Sequence, residues 1–284
     1  MLPALSIVDY RDRGNGGTQL RGSGPAQCMI ESGIHPKICR NVTRIAPRQM
    51  PRRTRPLIGL TTYGRSADDR YTLPAEYVDA VRRAGGVPLL ITPGESHWRV
   101  ALELVDAFIL TGGGDIDPGR YGGGRHETNY GVDQERDILE LAVARHLIDS
   151  GLPTLGICRG AQILNIVEGG TLIEHIPDEV GDSVLHRAPP REPVPHKVQL
   201  KPGSRLMQIL EREEFEATSW HHQAPRKVAH SFEIVATAPD GIVEAIEMPN
   251  HPWLIAVQWH PELTAASDPL QQKLFDAIVE VARG

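Results

Sequence analysis

The apolar positions of this chain fall in short blocks separated by turn residues. Leu57-Ile58-Gly59-Leu60-Thr61, Val87-Pro88-Leu89-Leu90-Ile91 and Ala107-Phe108-Ile109-Leu110-Thr111 are runs of strand length, the pattern of strands covered on both faces. Between the first two, residues 74–84 predict a helix with Pro74 in its first turn and Gly85-Gly86 as its stop. Asp133 opens a second helix through Ile138, Leu139, Ala142, Val143, Leu147 and Ile148, ended by Gly151. Pro153-Thr154-Leu155-Gly156-Ile157 reads as another buried strand, and the segment after Cys158 as a helix.

Beyond this point the pattern changes. His196–Leu200, Phe232–Ala236 and Val243–Ile246 read as strands joined by turns such as Pro239-Asp240-Gly241. Leu254–Trp259 is an apolar strand ending at His260, and a last helix runs from about Asp268 to Val281. Strands alternating with helices predict an α/β fold, a mainly parallel sheet with helices on both faces, in one domain spanning residues 56–284.

Charge separates the first 55 residues from this pattern. Up to Pro56 the balance is +7 and over the remainder −13, within a net −6. The basic excess therefore sits in a Gly-, Arg- and Pro-rich segment without periodicity, and the acidic body carries no nucleic-acid footprint. The segment could be a targeting peptide, a flexible extension, or upstream sequence that is not normally translated. Met50-Pro51-Arg52 leads straight into the first strand and favours the last; peptides from residues 1–49 in the native protein would refute it. No apolar run is long enough to span a bilayer. Three cysteines, Cys28, Cys39 and Cys158, form neither a disulfide framework nor a Cys-x-x-Cys metal pair. They point to a reducing, cytoplasmic compartment.

Gly156-Ile157-Cys158-Arg159-Gly160 lies between a predicted strand and helix. Small flanking residues permit the sharp turn that presents a nucleophile at the carboxyl edge of a sheet. The following helix's N-terminus favours a thiolate there. A buried structural cysteine is the competing reading. A thiol nucleophile needs a base, and His260 stands at a strand end, with Glu262 two residues on to orient it. A surface histidine beside an unrelated glutamate would give the same local sequence. Gly112-Gly113-Gly114 closes the third strand, and the Gly113 and Arg159 N–H groups could bind an oxyanion. Asp115 and Asp117 are too few for a cation site. His221-His222 is a poor metal clamp, one ring being expected to face the pocket. No metal site is expected.

Taken together, Thr111-Gly112-Gly113-Gly114-Asp115-Ile116-Asp117-Pro118, Gly156–Gly160, Ser219-Trp220-His221-His222-Gln223-Ala224 and Gln258-Trp259-His260-Pro261-Glu262 resemble the class I glutamine amidotransferase-like hydrolases. The spacing is most similar to the peptidase C26-like gamma-glutamyl-gamma-aminobutyrate hydrolases. Asn165, Gly169-Gly170-Thr171-Leu172 and Ala238-Pro239-Asp240-Gly241 fit the same branch. The resemblance implies a flavodoxin-like three-layer α/β/α fold, a Cys158-His260-Glu262 triad and a gamma-glutamyl thioester, without a cofactor. It also implies an Arg136-Asp137 pair and a small-molecule substrate, gamma-glutamyl-gamma-aminobutyrate of putrescine breakdown. Arg159 and His222, and more weakly Glu127, are the candidates for holding the glutamyl group. Glu168 departs from the small or apolar residue expected there. A glutaminase module with a separate synthase subunit and a non-catalytic member of the fold are the alternatives; a homodimer is the default assembly.

Overall fold

The computed structural model describes residues 54–284, which form one compact unit; the basic N-terminal segment lies outside the described residues. In chain order the elements are β1 (Leu57–Thr61), α1 (Ala75–Arg83), β2 (Val87–Ile91), α2 (Trp98–Leu102), β3 (Ala107–Leu110), α3 (Gln134–Ser150), β4 (Thr154–Ile157), α4 (Arg159–Val167), β5 (Thr171–Ile173) and α5 (Ile176–Val180). There follow β6 (Val194–Leu200), α6 (Arg205–Leu210), β7 (Glu214–Ser219), β8 (Ala224–Lys227), β9 (Glu233–Thr237), β10 (Val243–Glu247), β11 (Leu254–Val257) and α7 (Pro269–Val281).

The central sheet runs β2-β1-β3-β4-β11-β10-β9-β6-β7. From β2 to β11 the neighbours are parallel; from β11 outward they are antiparallel. β11 is therefore the seam between a parallel core and an antiparallel wing. Period-2 alternation sends Ile58, Ile109, Leu155 and Val257 to one face, where they pack with Val81, Leu274 and Phe275. Phe108, Leu110, Leu254 and Ala256 go to the other, under Leu139, Val143 and Leu164. This is the three-layer arrangement expected of apolar strands buried on both sides. β2 is the outer strand of the parallel core, which tolerates Pro88 and leaves Leu90 exposed.

The helix boundaries follow local chemistry. Asp133 caps α3 by accepting from the Arg136 N–H at 3.0 Å, and Gly151 ends it in a left-handed conformation. The buried face of α3 differs from the predicted apolar stripe. Ile138 is exposed, whereas Arg136, Asp137 and Glu140 are buried beside Leu139, Val143 and Leu147. Glu168 follows the last residue of α4 and pairs at the surface with Arg145 of α3, which accounts for a charge at that position. The short elements α2, β5, α5, α6, β7 and β8 were not predicted. In β7 only Phe215 is a large apolar residue, so its alternation is faint.

Candidate active site

The turn from β4 into α4 carries Cys158 at φ 49° and ψ −103°, a combination that costs a side-chain-bearing residue about 1–3 kcal/mol. Neighbouring strands hold it there. The Cys158 N–H donates to the Val257 carbonyl at 2.8 Å, and its own carbonyl accepts from Ala161 and Gln162. Gly160 lets α4 start hard against β3, because a Cβ there would collide with the Leu110 carbonyl. Gly160→Ala is accordingly expected to lower stability by about 1–3 kcal/mol through overpacking, measured as the denaturant midpoint, and to reduce turnover as the elbow shifts.

β4 and β11 pair in register, Ile157 opposite Val257, so the residues just beyond both strands converge. Gln258 Nε2 donates to Cys158 Sγ at 3.6 Å. The chain then turns at His260, whose N–H is anchored on the Thr218 carbonyl of β7 at 2.9 Å. His260 Nδ1 lies 2.6 Å from Glu262 Oε1, and both side chains are buried. Burial alone would lower the imidazole pKa. The charges of Glu262 and of the Cys158 sulfur, with hydrogen bonds to both, instead raise it well above its ordinary value. The site thus favours the protonated form of the His260 imidazole.

His260 and Gly113 line a cavity of about 420 Å³ with Tyr63, Tyr130, Val132 and Trp220. Trp220 meets the His260 ring edge-on at 5.9 Å. Gly113 has φ +144°, and a Cβ there would run into the Arg136 guanidinium. Two arginines pin the carbonyls on either side of it. Arg136 donates to the Gly112 carbonyl at 2.7 Å, and Arg159 to the Gly114 carbonyl at 3.0 Å. Because C=O and N–H of one peptide point in opposite directions, holding the Gly112 carbonyl turns the Gly113 N–H away from Arg136. The Arg159 N–H opens α4, where the first donors lack intrahelical partners.

The Arg159 side chain, a candidate for holding the glutamyl group, is engaged within the protein. It is buried, donating to Glu140 at 2.8 Å and to Asp137 at 2.6 Å. Glu140 also accepts from Arg136 at 2.8 Å, and Asp137 accepts from the Asp117 N–H at 3.0 Å. The Arg136-Asp137 pair is thus half of a four-membered buried network. His222 is likewise engaged within the protein: Nε2 lies 3.0 Å from Asp115 Oδ2, and Nδ1 faces Thr128 and His175 at 3.3 Å. It lines a neighbouring cavity. Glu127 is exposed beside a third one. Asp115 accepts from the Tyr130 N–H and Asp117 from the Gly119 N–H, so both serve loop structure. His221, in the turn between β7 and β8, enters a different buried group from His222, with His186, His196 and Glu244. Sequence reasoning missed Glu140, Gln258 and this group, since each joins segments remote in the chain.

The chain matches the peptidase C26 family over residues 56–262. It is 36% identical to Rv2859c of Mycobacterium tuberculosis, which carries the provisional name glutamine amidotransferase, over 81% of this chain and 76% of that one. It is 31% identical to the gamma-glutamyl-gamma-aminobutyrate hydrolase PuuD of Escherichia coli, over 73% of this chain and 85% of that one. A solved glutamine amidotransferase of Thermotoga maritima superposes with a TM-score of 0.55 at 14% identity, covering 82% of this chain and all of that one; it shares the flavodoxin-like class I fold. The chain belongs to the peptidase C26 family of class I glutamine amidotransferase-like cysteine hydrolases and amidotransferases.

Proposed function

We propose that this chain hydrolyses gamma-glutamyl amides, gamma-glutamyl-gamma-aminobutyrate first among them, through a thioester on Cys158. Cys158 Sγ attacks the γ-carbonyl carbon, and its proton passes to His260 Nε2. The oxyanion is met by the N–H groups of Gly113 and Arg159. As the tetrahedral intermediate collapses, the C–N bond breaks and His260 returns the proton to the leaving amine. Water, deprotonated by His260, then cleaves the thioester to give glutamate and the free thiol. Glu262 holds the imidazole in the tautomer this relay needs. The observation that carries the reading is the 2.6 Å contact of His260 with Glu262 beside Cys158.

The gamma-aminobutyrate half rests on relatives named for that substrate. Names of other relatives favour a second reading, a glutaminase that passes ammonia to a synthase partner. Assaying the purified chain alone against a panel of gamma-glutamyl amides, glutamine included, separates the two. Turnover of gamma-glutamyl-gamma-aminobutyrate without a partner supports the hydrolase. Glutaminase activity that requires a second protein supports the other.

For the glutamyl α-carboxylate the best candidate is Arg187. The residue lines the neighbouring cavity with His222, its Nη1 is buried without a hydrogen-bond partner, and its guanidinium lies 5.6 Å from the ring centroid of Tyr130, a residue of the His260 cavity. A charge-assisted bond is worth about 1.5–3 kcal/mol. Arg187→Gln should therefore raise KM about tenfold to a hundredfold with little change in kcat. An unchanged KM would assign the carboxylate elsewhere.

A further inference from the structure

In the antiparallel wing, four side chains from four segments converge. His186 comes from the loop before β6, His196 from β6, His221 from the turn between β7 and β8, and Glu244 from β10. All are buried, with relative exposures of 4, 7, 3 and 0%. One ligand atom from each lies within 4.8 Å of the others. Glu244 Oε1 is 3.2 Å from His186 Nδ1, 3.3 Å from His196 Nε2 and 3.5 Å from His221 Nε2. None of these contacts has hydrogen-bond alignment, and all four atoms are without a hydrogen-bond partner. Such atoms are rare in a folded interior and call for an explanation.

The outer nitrogens say what the inner ones present. His196 Nδ1 lies 3.0 Å from the Lys197 carbonyl, and His221 Nδ1 3.0 Å from the Gln223 carbonyl. Carbonyls only accept, so both nitrogens carry the proton. His186 Nε2 lies 3.0 Å from the Asp240 carboxylate and donates to it in the same way. In each neutral ring the inward nitrogen is then a lone pair. Three lone pairs and a carboxylate oxygen facing one point repel one another unless a metal cation lies between them or a ring takes a second proton and pairs with Glu244. Imidazoles whose outer N–H groups are held by carbonyls and a carboxylate are the usual second shell of a metal site. Metal–nitrogen bonds of about 2.0–2.1 Å set the edges of a tetrahedron at roughly 3.3–3.4 Å, and the three contacts to Glu244 already have that spacing.

We propose that His186, His196, His221 and Glu244 form a closed four-ligand site for a divalent transition cation, with zinc the best fit. Three imidazoles and one carboxylate suit zinc rather than magnesium or calcium, which prefer all-oxygen shells. Four protein ligands leave no position for substrate, so the cation is structural. It ties together loop, strands and turn at the base of the wing, and it fixes the backbone on both sides of His221. Trp220, which walls the His260 cavity, and His222, which holds Asp115, are thereby set in place.

The test uses the full chain, stripped with a chelator and titrated with cobalt(II) and zinc(II). Wild type is expected to take up about one equivalent, to show the intense visible absorption of four-coordinate cobalt, to lose it when zinc is added, and to gain thermal stability with zinc. Cys158→Ser should keep the cobalt spectrum, and Glu244→Gln should lose it. Asp240→Asn leaves the four ligands in place, alters the partner of His186 and should weaken binding roughly 10–100-fold. This variant also decides the matter if Glu244→Gln does not fold. A folded wild type that takes up less than about a tenth of an equivalent would overturn the proposal. So would a spectrum that survives in Glu244→Gln, one that vanishes in Cys158→Ser, or an Asp240→Asn affinity equal to that of wild type.

Discussion

Cys158→Ala is expected to abolish gamma-glutamyl amide hydrolysis, with kcat/KM falling by roughly 10⁴-fold or more, while the protein keeps its fold. The elbow is held by backbone bonds to Val257, Ala161 and Gln162, and these survive the substitution. Steady-state kinetics checks the rate, and circular dichroism with a denaturant melt checks the fold. A folded variant with wild-type turnover would end the proposal. A sharper comparison sets Cys158→Gly beside Cys158→Ala. Both lack the sulfur, but only alanine keeps a Cβ at φ 49°. The strain is on the order of 1–3 kcal/mol, and the extra unfolded-state entropy of glycine about 0.4–1 kcal/mol. The glycine variant should therefore be the more stable of the two. Alanine being the more stable would show that the elbow carries no strain.

The largest stability effect is expected at Glu140. Its carboxylate is fully buried between Arg136 and Arg159, with both contacts at 2.8 Å. Glu140→Gln removes the charge that two buried guanidiniums share, and breaking a buried pair in this way costs about 3–5 kcal/mol, a large part of typical domain stability. The Gly112–Gly114 turn loosens with it, because Arg136 and Arg159 hold the carbonyls on either side of Gly113. Activity should fall as well as the denaturant midpoint. The pH dependence supplies a second check. Burial opposes ionisation of Glu140, but the two arginines prevail and lower its pKa below 4.5. The stabilisation is thus fully present above the unfolded-state pKa and is lost as pH falls through the lower folded value. In Glu140→Gln the acid limb of the stability curve should flatten. An unaltered acid limb would place the pH sensitivity elsewhere.

The sequence was most legible where one segment carries both a pattern and its punctuation. The apolar runs of β1, β3, β4 and β11 announced a sheet covered on both faces, and Asp133 and Gly151 bracketed α3. The Gly-x-Cys-x-Gly turn and the His260-x-Glu262 step each lie within a few residues, so local spacing exposed them. Contacts between remote segments were not legible. Arg159 follows the thiol and looked like a substrate clamp, but it is drawn to α3 by carboxylates outside the predicted apolar stripe. Burying those charges is favourable only because four of them neutralise one another, which no one-dimensional period records. The same holds for His221. Its neighbour His222 made it look like half of a weak clamp, whereas its partners come from β6, β10 and a loop.

β11 is one of the last strands in the chain, yet it occupies the middle of the sheet, between β4 and β10. During synthesis, β2, β1, β3 and β4 can assemble first, and the thiol emerges with them. Until Leu254–Val257 arrive, β4 presents an unpaired apolar edge, the kind that recruits other chains. Cys158 lacks its Val257 anchor and its base over the same interval. One late strand thus closes the sheet and arms the thiol together, so a growing or truncated chain carries a cysteine without the partners that would make it reactive.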